Sequence, residues 1–136
     1  MRMTRCTSGD VPRLAAMNKR LIEDEKSSNP MNVSELETRM AGFLAGEYAA
    51  FFFEEGDTII GYALVRSTSS PPYLRQFYIE RDCRRRHYGE EAFRMLLACL
   101  KTDSIDVDVL PWNGAGRAFW SSLGFTETCI SMNYKG

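Results

Sequence analysis

Apolar positions along the chain change their period several times, and each change predicts an element. Residues 3–6 read as a short first strand. Thr7, Ser8, Gly9 and Asp10 make a turn that also caps a helix, with Pro12 tolerated in its first turn. Val11, Leu14, Ala15, Asn18 and Ile22 then share one helical stripe. Asn18 is the polar misfit there, and such a residue most often bonds to nearby backbone. The helix runs into Glu23, Asp24 and Glu25, and residues 26–30 form a loop by composition. Asn32 followed by Glu35 fits a capping box for a second helix. Its buried face would be Val33, Leu36, Met40, Phe43 and Leu44, and Gly46 ends it.

The period then shifts to that of strands. Residues 48–53 are almost wholly apolar, and Glu55, Gly56 and Asp57 make a hairpin turn. Residues 58–65 are apolar on both faces, which predicts a central strand covered on each side. A surface loop over 67–72 leads to a fourth strand over 73–79. After Arg81 and Asp82 the pattern becomes helical, with Ala92, Phe93, Leu96, Leu97 and Leu100 on one stripe. Residues 104–109 alternate: Ile105, Val107 and Val109 point one way, Asp106 and Asp108 the other. A short helix over 113–122, a turn over 123–125 and a final strand over 126–134 complete the chain. The order β-αα-βββ-α-β-α-β describes one α/β domain over residues 1–136 with a mixed sheet.

Composition narrows the function classes. With 136 residues, 44% hydrophobic and 26% charged, the chain suits one soluble globular core. Its net charge of −1 argues against a general nucleic-acid or polyanion binder. No apolar run approaches the roughly 20 residues that span a bilayer. The first residues carry no apolar leader, so the expected location is cytoplasmic. Cys6, Cys83, Cys99 and Cys129 are scattered and read as free thiols. Cys83 and the lone His87 are too few ligands for a zinc site, and no metal is expected. There is no GxSxG elbow, and hydrolysis by a nucleophilic triad is poorly supported.

The informative stretch runs from Gln76 to Ala92, where a strand enters a loop and a helix begins beyond it. Helix N-termini present unpaired N–H groups and a partial positive charge, which suits phosphate. Gly89 lacks a Cβ and would let phosphate oxygens approach the backbone. Arg84, Arg85 and Arg86 are unfavourable beside the positive end of a helix unless an anion sits there.

This stretch resembles the coenzyme A pyrophosphate loop of the GCN5-related N-acetyltransferase (GNAT) family, whose motif appears here as Arg84-x-x-His87-x-Gly89. A second family motif appears as Asn113-x-x-Ala115-x-x-Ala118-Phe119-Trp120 running on to Gly124-Phe125. The resemblance covers essentially the whole chain and implies a mostly antiparallel central sheet flanked by helices. It also implies acetyl-coenzyme A (acetyl-CoA) as co-substrate and an amine as acceptor. The backbone of Phe77, Tyr78 and Ile79 would pair with the pantetheine arm, and one of its N–H groups would polarise the thioester carbonyl. Arg84, Arg85, Arg86, His87, Tyr88, Gly89 and Glu90 would cradle the pyrophosphate, with Asn113 and Phe119 on the other side. Members of the family are often dimers, although nothing in this sequence fixes a dimer surface.

Direct attack by a neutral amine needs a base, and an acid can assist the leaving sulfur. The resemblance implies an acceptor side built by the first two helices, their loop and the final strands; Glu23, Asp24 and Glu25 fall there, and one of Glu23 or Glu25 is expected at the acceptor site, with Asp106 and Asp108 as alternatives. Trp120 stands where many members have the tyrosine that serves as acid, and indole is no acid at neutral pH. Tyr78 and Tyr134 are the substitutes. His87 replaces the first glycine of the loop. The competing reading is a non-catalytic acyl-CoA binding module with the same fold, for which Trp120 is the best support.

Overall fold

The computed structural model describes residues 1–84 and 86–136; Arg85 lies outside them. The elements are β1 (Arg2–Arg5), α1 (Val11–Asp24), α2 (Val33–Ala45), β2 (Tyr48–Glu55), β3 (Thr58–Arg66), β4 (Tyr73–Ile79), α3 (Tyr88–Leu100), β5 (Asp106–Val107) and α4 (Gly114–Ser122). Short 3-10 turns precede α1 and follow β4. The sheet has the order β1-β2-β3-β4-β5. Its first three pairings are antiparallel, and only β4 and β5 run parallel.

The predicted stripe of α1 is the buried one: Leu14 and Ala15 are fully covered, and Val11 and Ile22 nearly so. Asn32 caps α2 as its sequence predicts, accepting from the Glu35 N–H at 2.8 Å while Glu35 reaches back to the Asn32 N–H at 3.0 Å. Val33, expected inside, is 40% exposed at the first position of α2, whose buried residues are Leu36 and Met40. One face of the sheet packs on α1 and α2 through Leu14, Met17, Met40, Phe52, Tyr62 and Tyr78. The other packs Phe53, Ile60, Val65, Leu74, Phe93 and Leu96 beneath α3, with Trp120 and Phe125 alongside. This is why β3 is apolar on both faces.

Two expectations fail. Residues 126–134 form no strand, and Ile130, Met132 and Tyr134 are 77%, 92% and 90% exposed. A strand exists only by pairing, and no edge takes this segment as a partner among the described residues. The final β of the predicted order is therefore absent. The fifth strand shrinks from residues 104–109 to Asp106–Val107.

A bulge in β4 accounts for the short fifth strand. Leu64 pairs with Gln76 but Val65 pairs with Leu74, so Arg75 is the extra residue. Beyond it β4 leaves β5: only Tyr73 and Leu74 pair, with Asp106 and Val107. The bulge also resets which face each side chain takes. Leu74 joins the α3 layer, whereas Arg75 lies over the Phe43 ring of α2 and the next residue, Gln76, meets Tyr62 and Asn18.

Candidate active site

The closed end of the divergence is pinned by side chains. The Tyr73 hydroxyl donates to the Asp108 carboxylate at 2.8 Å. Burial, and then that carboxylate, push the Tyr73 phenol up to about 12. From Arg75 to Ile79 the outer edge of β4 has no strand partner among the described residues. The Glu80 N–H bonds the Ile60 carbonyl, and antiparallel alternation then fixes the neighbours. Tyr78 turns its peptide groups toward β3, while Phe77 and Ile79 turn theirs into the opening. The Ile79 carbonyl is already taken by the Arg84 Nε, at 2.9 Å. The Phe77 N–H and C=O and the Ile79 N–H make the usable edge.

At the far end of the opening α3 begins. The Glu91 N–H makes its first helical bond, to the His87 carbonyl at 3.1 Å. The N–H groups of Tyr88, Gly89 and Glu90 precede that bond and point out of the helix end. His87 offers them no side-chain cap and adopts the left-handed conformation, with φ of 62°. That geometry explains why glycine suits the position. Gly89 has a reason of its own: a Cβ there would lie 3.0 Å from the Phe119 ring. Phe119 in turn stacks on Phe77, with ring centroids 5.9 Å apart. Trp120 is packed among Phe77, Phe93, Phe119 and Phe125, at 4.8–5.5 Å between centroids. Asn113 is occupied as the α4 cap, accepting from the Gly116 N–H at 3.0 Å.

The arginine run divides. Arg84 points at α1, where it is ion-paired with Asp24. Arg86 is exposed. Arg81, which the sequence reading passed over, donates from Nε to Asp24 at 2.8 Å. These two guanidinium groups hold the Asp24 carboxyl below its ordinary value, against the opposing effect of its burial.

The three acidic residues at the end of α1 point in different directions. Glu23 is exposed and only 3.8 Å from Arg81. Asp24 faces the arginines. Glu25 is half-buried and has no ion-pair or hydrogen-bond partner for its carboxyl among the described residues. Burial raises its pKa, and the Asp24 charge adds to the rise. Beneath lies a buried polar chain: Tyr62 donates to Gln76 at 2.7 Å, and Asn18 accepts from Gln76 at 3.4 Å and from Arg39 at 3.1 Å. Asn18 thus bonds side chains rather than the backbone expected of it. Tyr78 is buried, with its hydroxyl accepting from Arg20 at 3.3 Å. Tyr134 sits in the exposed tail, outside any strand.

The sequence profile of the Acetyltransferase (GNAT) family matches residues 16–125. The chain belongs to that family. No curated protein matches it significantly. Among solved structures it is similar to a predicted acetyltransferase with acetyl-CoA from Clostridium acetobutylicum, 17% identical, with 98% of this chain and 95% of that one covered and a TM-score of 0.76. It is also similar to an aminoglycoside 6'-N-acetyltransferase from Acinetobacter haemolyticus, 15% identical over 100% and 98% of the two chains, with a TM-score of 0.78. A possible acetyltransferase from Clostridium difficile, 14% identical over 99% and 96%, gives a TM-score of 0.78. At these identities the likeness establishes the acetyltransferase fold. Among the described residues, no group of three or more His, Cys, Asp and Glu side chains is placed to hold a metal ion. None of their helices is long and apolar enough to cross a membrane.

Proposed function

We propose that this member of the acetyltransferase family moves an acetyl group from acetyl-CoA to an amine by direct attack. The observation that carries the reading is the outer edge at Phe77, which opens where β4 leaves β5, and the N–H groups at the start of α3, both without a backbone partner among the described residues. These residues fit the donor. A pantetheine arm is an extended amide chain that can pair with the Phe77 edge. A diphosphate suits the N–H groups of Tyr88, Gly89 and Glu90, with Arg86 adding charge. The acetyl thioester would then lie near the divergence, where the Phe77 N–H can donate to a carbonyl oxygen gaining charge.

The acceptor would approach from the α1 side. Glu25 suits the base, because its half-buried carboxyl has no cation paired with it among the described residues and a raised pKa. It would take a proton from the ammonium; the neutral nitrogen forms a bond to the carbonyl carbon, and the carbon–sulfur bond breaks to release thiol or thiolate. Glu23, exposed beside Arg81, suits that role less well. The proposed setting is the cytoplasm, in keeping with four free thiols.

A second reading, an acyl-CoA binding module without chemistry, is favoured by one observation. Trp120 is packed in an aromatic cluster and Tyr134 is in the exposed tail, so neither offers a phenol at the divergence. A rise in melting temperature with acetyl-CoA supports both readings, and its absence sinks both. Release of free thiol with an amine panel separates them. The panel includes an aminoglycoside, because one similar structure acts on that class, with a polyamine and a lysine peptide beside it.

A further inference from the structure

Four ion pairs join α1 to the segment that follows β4, the loosest of them Glu23 to Arg81 at 3.8 Å. Arg20 and Asp24 are four apart and share one face of α1. Arg20 holds Glu80 through two hydrogen bonds, at 3.1 and 3.2 Å. Asp24 holds both Arg81 and Arg84. The signs alternate, positive on negative and then negative on positive, so a shift along the helix would break every pair. Asp24 is the centre of this arrangement, with its side chain only 17% exposed.

Arg81 and Arg84 bracket the single 3-10 turn, Arg81–Cys83, with which the loop begins. One carboxylate therefore grips both ends of that turn. Arg84 is further fixed by its bond to the Ile79 carbonyl and lies over the Tyr78 ring, at 5.5 Å. Its side chain is committed to Asp24 and the Ile79 carbonyl. Besides Arg86, what the described residues offer a diphosphate is backbone, and backbone N–H groups bind best if the loop already holds them in place.

We infer that Asp24 is the positioning residue for the diphosphate of the acyl donor, clamping Arg81 and Arg84 so that the amides opening α3 face outward together. The inference rests on the proposed donor site. It reassigns Arg84 from phosphate ligand to strut. It also joins donor and acceptor sides, since Asp24 and Glu25 are consecutive residues at the end of α1.

Calorimetric titration with coenzyme A tests it, on wild type, Asp24→Asn, Asp24→Glu and the gentler Arg81→Gln, each well below its melting temperature. If the clamp is lost and a tenth of the loops remain competent, the dissociation constant rises about tenfold. Asp24→Asn should show that rise, Arg81→Gln a smaller one, and Asp24→Glu should recover most of the affinity. A purely structural role would lower the melting temperature and leave the affinity of the folded protein unchanged. Equal or tighter binding by Arg81→Gln and by any folded Asp24→Asn overturns the inference and leaves the donor site standing. Wild type that does not bind coenzyme A removes the donor site and the inference together.

Discussion

The indole Nε1 of Trp112 donates to the backbone carbonyls of Glu25 and Lys26, at 3.2 Å each. These carbonyls lie at the end of α1, where helical partners run out. Trp112 comes from the turn between β5 and α4, which Arg117 braces through the Pro111 carbonyl at 3.2 Å. The end of α1, where Glu25 sits, is thus tied by its backbone to a tryptophan 87 positions away along the chain. Trp112→Phe keeps the ring and removes the donor. A hydrogen bond of about 1 kcal/mol corresponds to roughly fivefold faster local opening. Hydrogen exchange should show that increase at the Lys26 and Ser27 amides, with the centre of the sheet unaffected.

Asp24 and Glu25 should respond oppositely to pH. The folded pKa of Asp24 lies below its ordinary 3.8, so its contribution to stability is present above that value and is lost as pH falls through the folded one. The folded pKa of Glu25 lies above its ordinary 4.5, so the folded state holds that proton more tightly and loses stability as pH rises through the window between the two. Glu25→Gln removes this penalty and should raise the melting temperature at pH 7. If Glu25 is the base, the same variant should lower kcat/KM by about a hundredfold with any amine that wild type acetylates. Glu23→Gln should do neither. Unchanged turnover in Glu25→Gln would move the base elsewhere.

His87 occupies a left-handed conformation that costs most side chains about 1–2 kcal/mol. His87→Gly should relieve part of that, offset by the greater entropy of glycine in the unfolded chain. The expected net gain is about 0.5–1 kcal/mol in chemical denaturation. Coenzyme A affinity should hold or improve, since the free amides belong to the residues after His87.

Gly61 of β3 pairs with Ile79 at the end of β4. A Cβ there would be 2.2 Å from the Tyr78 carbonyl oxygen and 2.9 Å from the Ile79 side chain. The first contact is with backbone and cannot rotate away. Gly61→Ala should therefore cost about 3 kcal/mol or more, near the upper end of overpacking effects. It should also weaken coenzyme A binding, because the displaced strand carries the Phe77 edge.

The elements were legible wherever local pattern governs them. The stripe of α1, the Asn32 capping box and the limits of β4 follow from spacing alone. The tail was misread because alternation of Ile130, Met132 and Tyr134 expresses a preference that only a neighbouring strand can satisfy. The helix expected after Arg81 and Asp82 is α3, which begins at Tyr88, and Arg85 lies outside the described residues. Sequence placed Glu23, Asp24 and Glu25 in one group, but successive helical residues project about 100° apart. One faces water, one the arginines and one the interior. The spacing of Arg20 and Asp24, set against Glu80, Arg81 and Arg84, was the signal that could have separated them.

The extra residue in β4 makes the length of that strand a stricter requirement than its composition. Omitting Arg75 would slide everything after it by one step. Phe77 and Ile79 would leave the aromatic layer, Tyr78 would enter it, and the amides now open to a ligand would turn toward β3. Homologous exchange at any one of these positions is a small event beside a single lost codon.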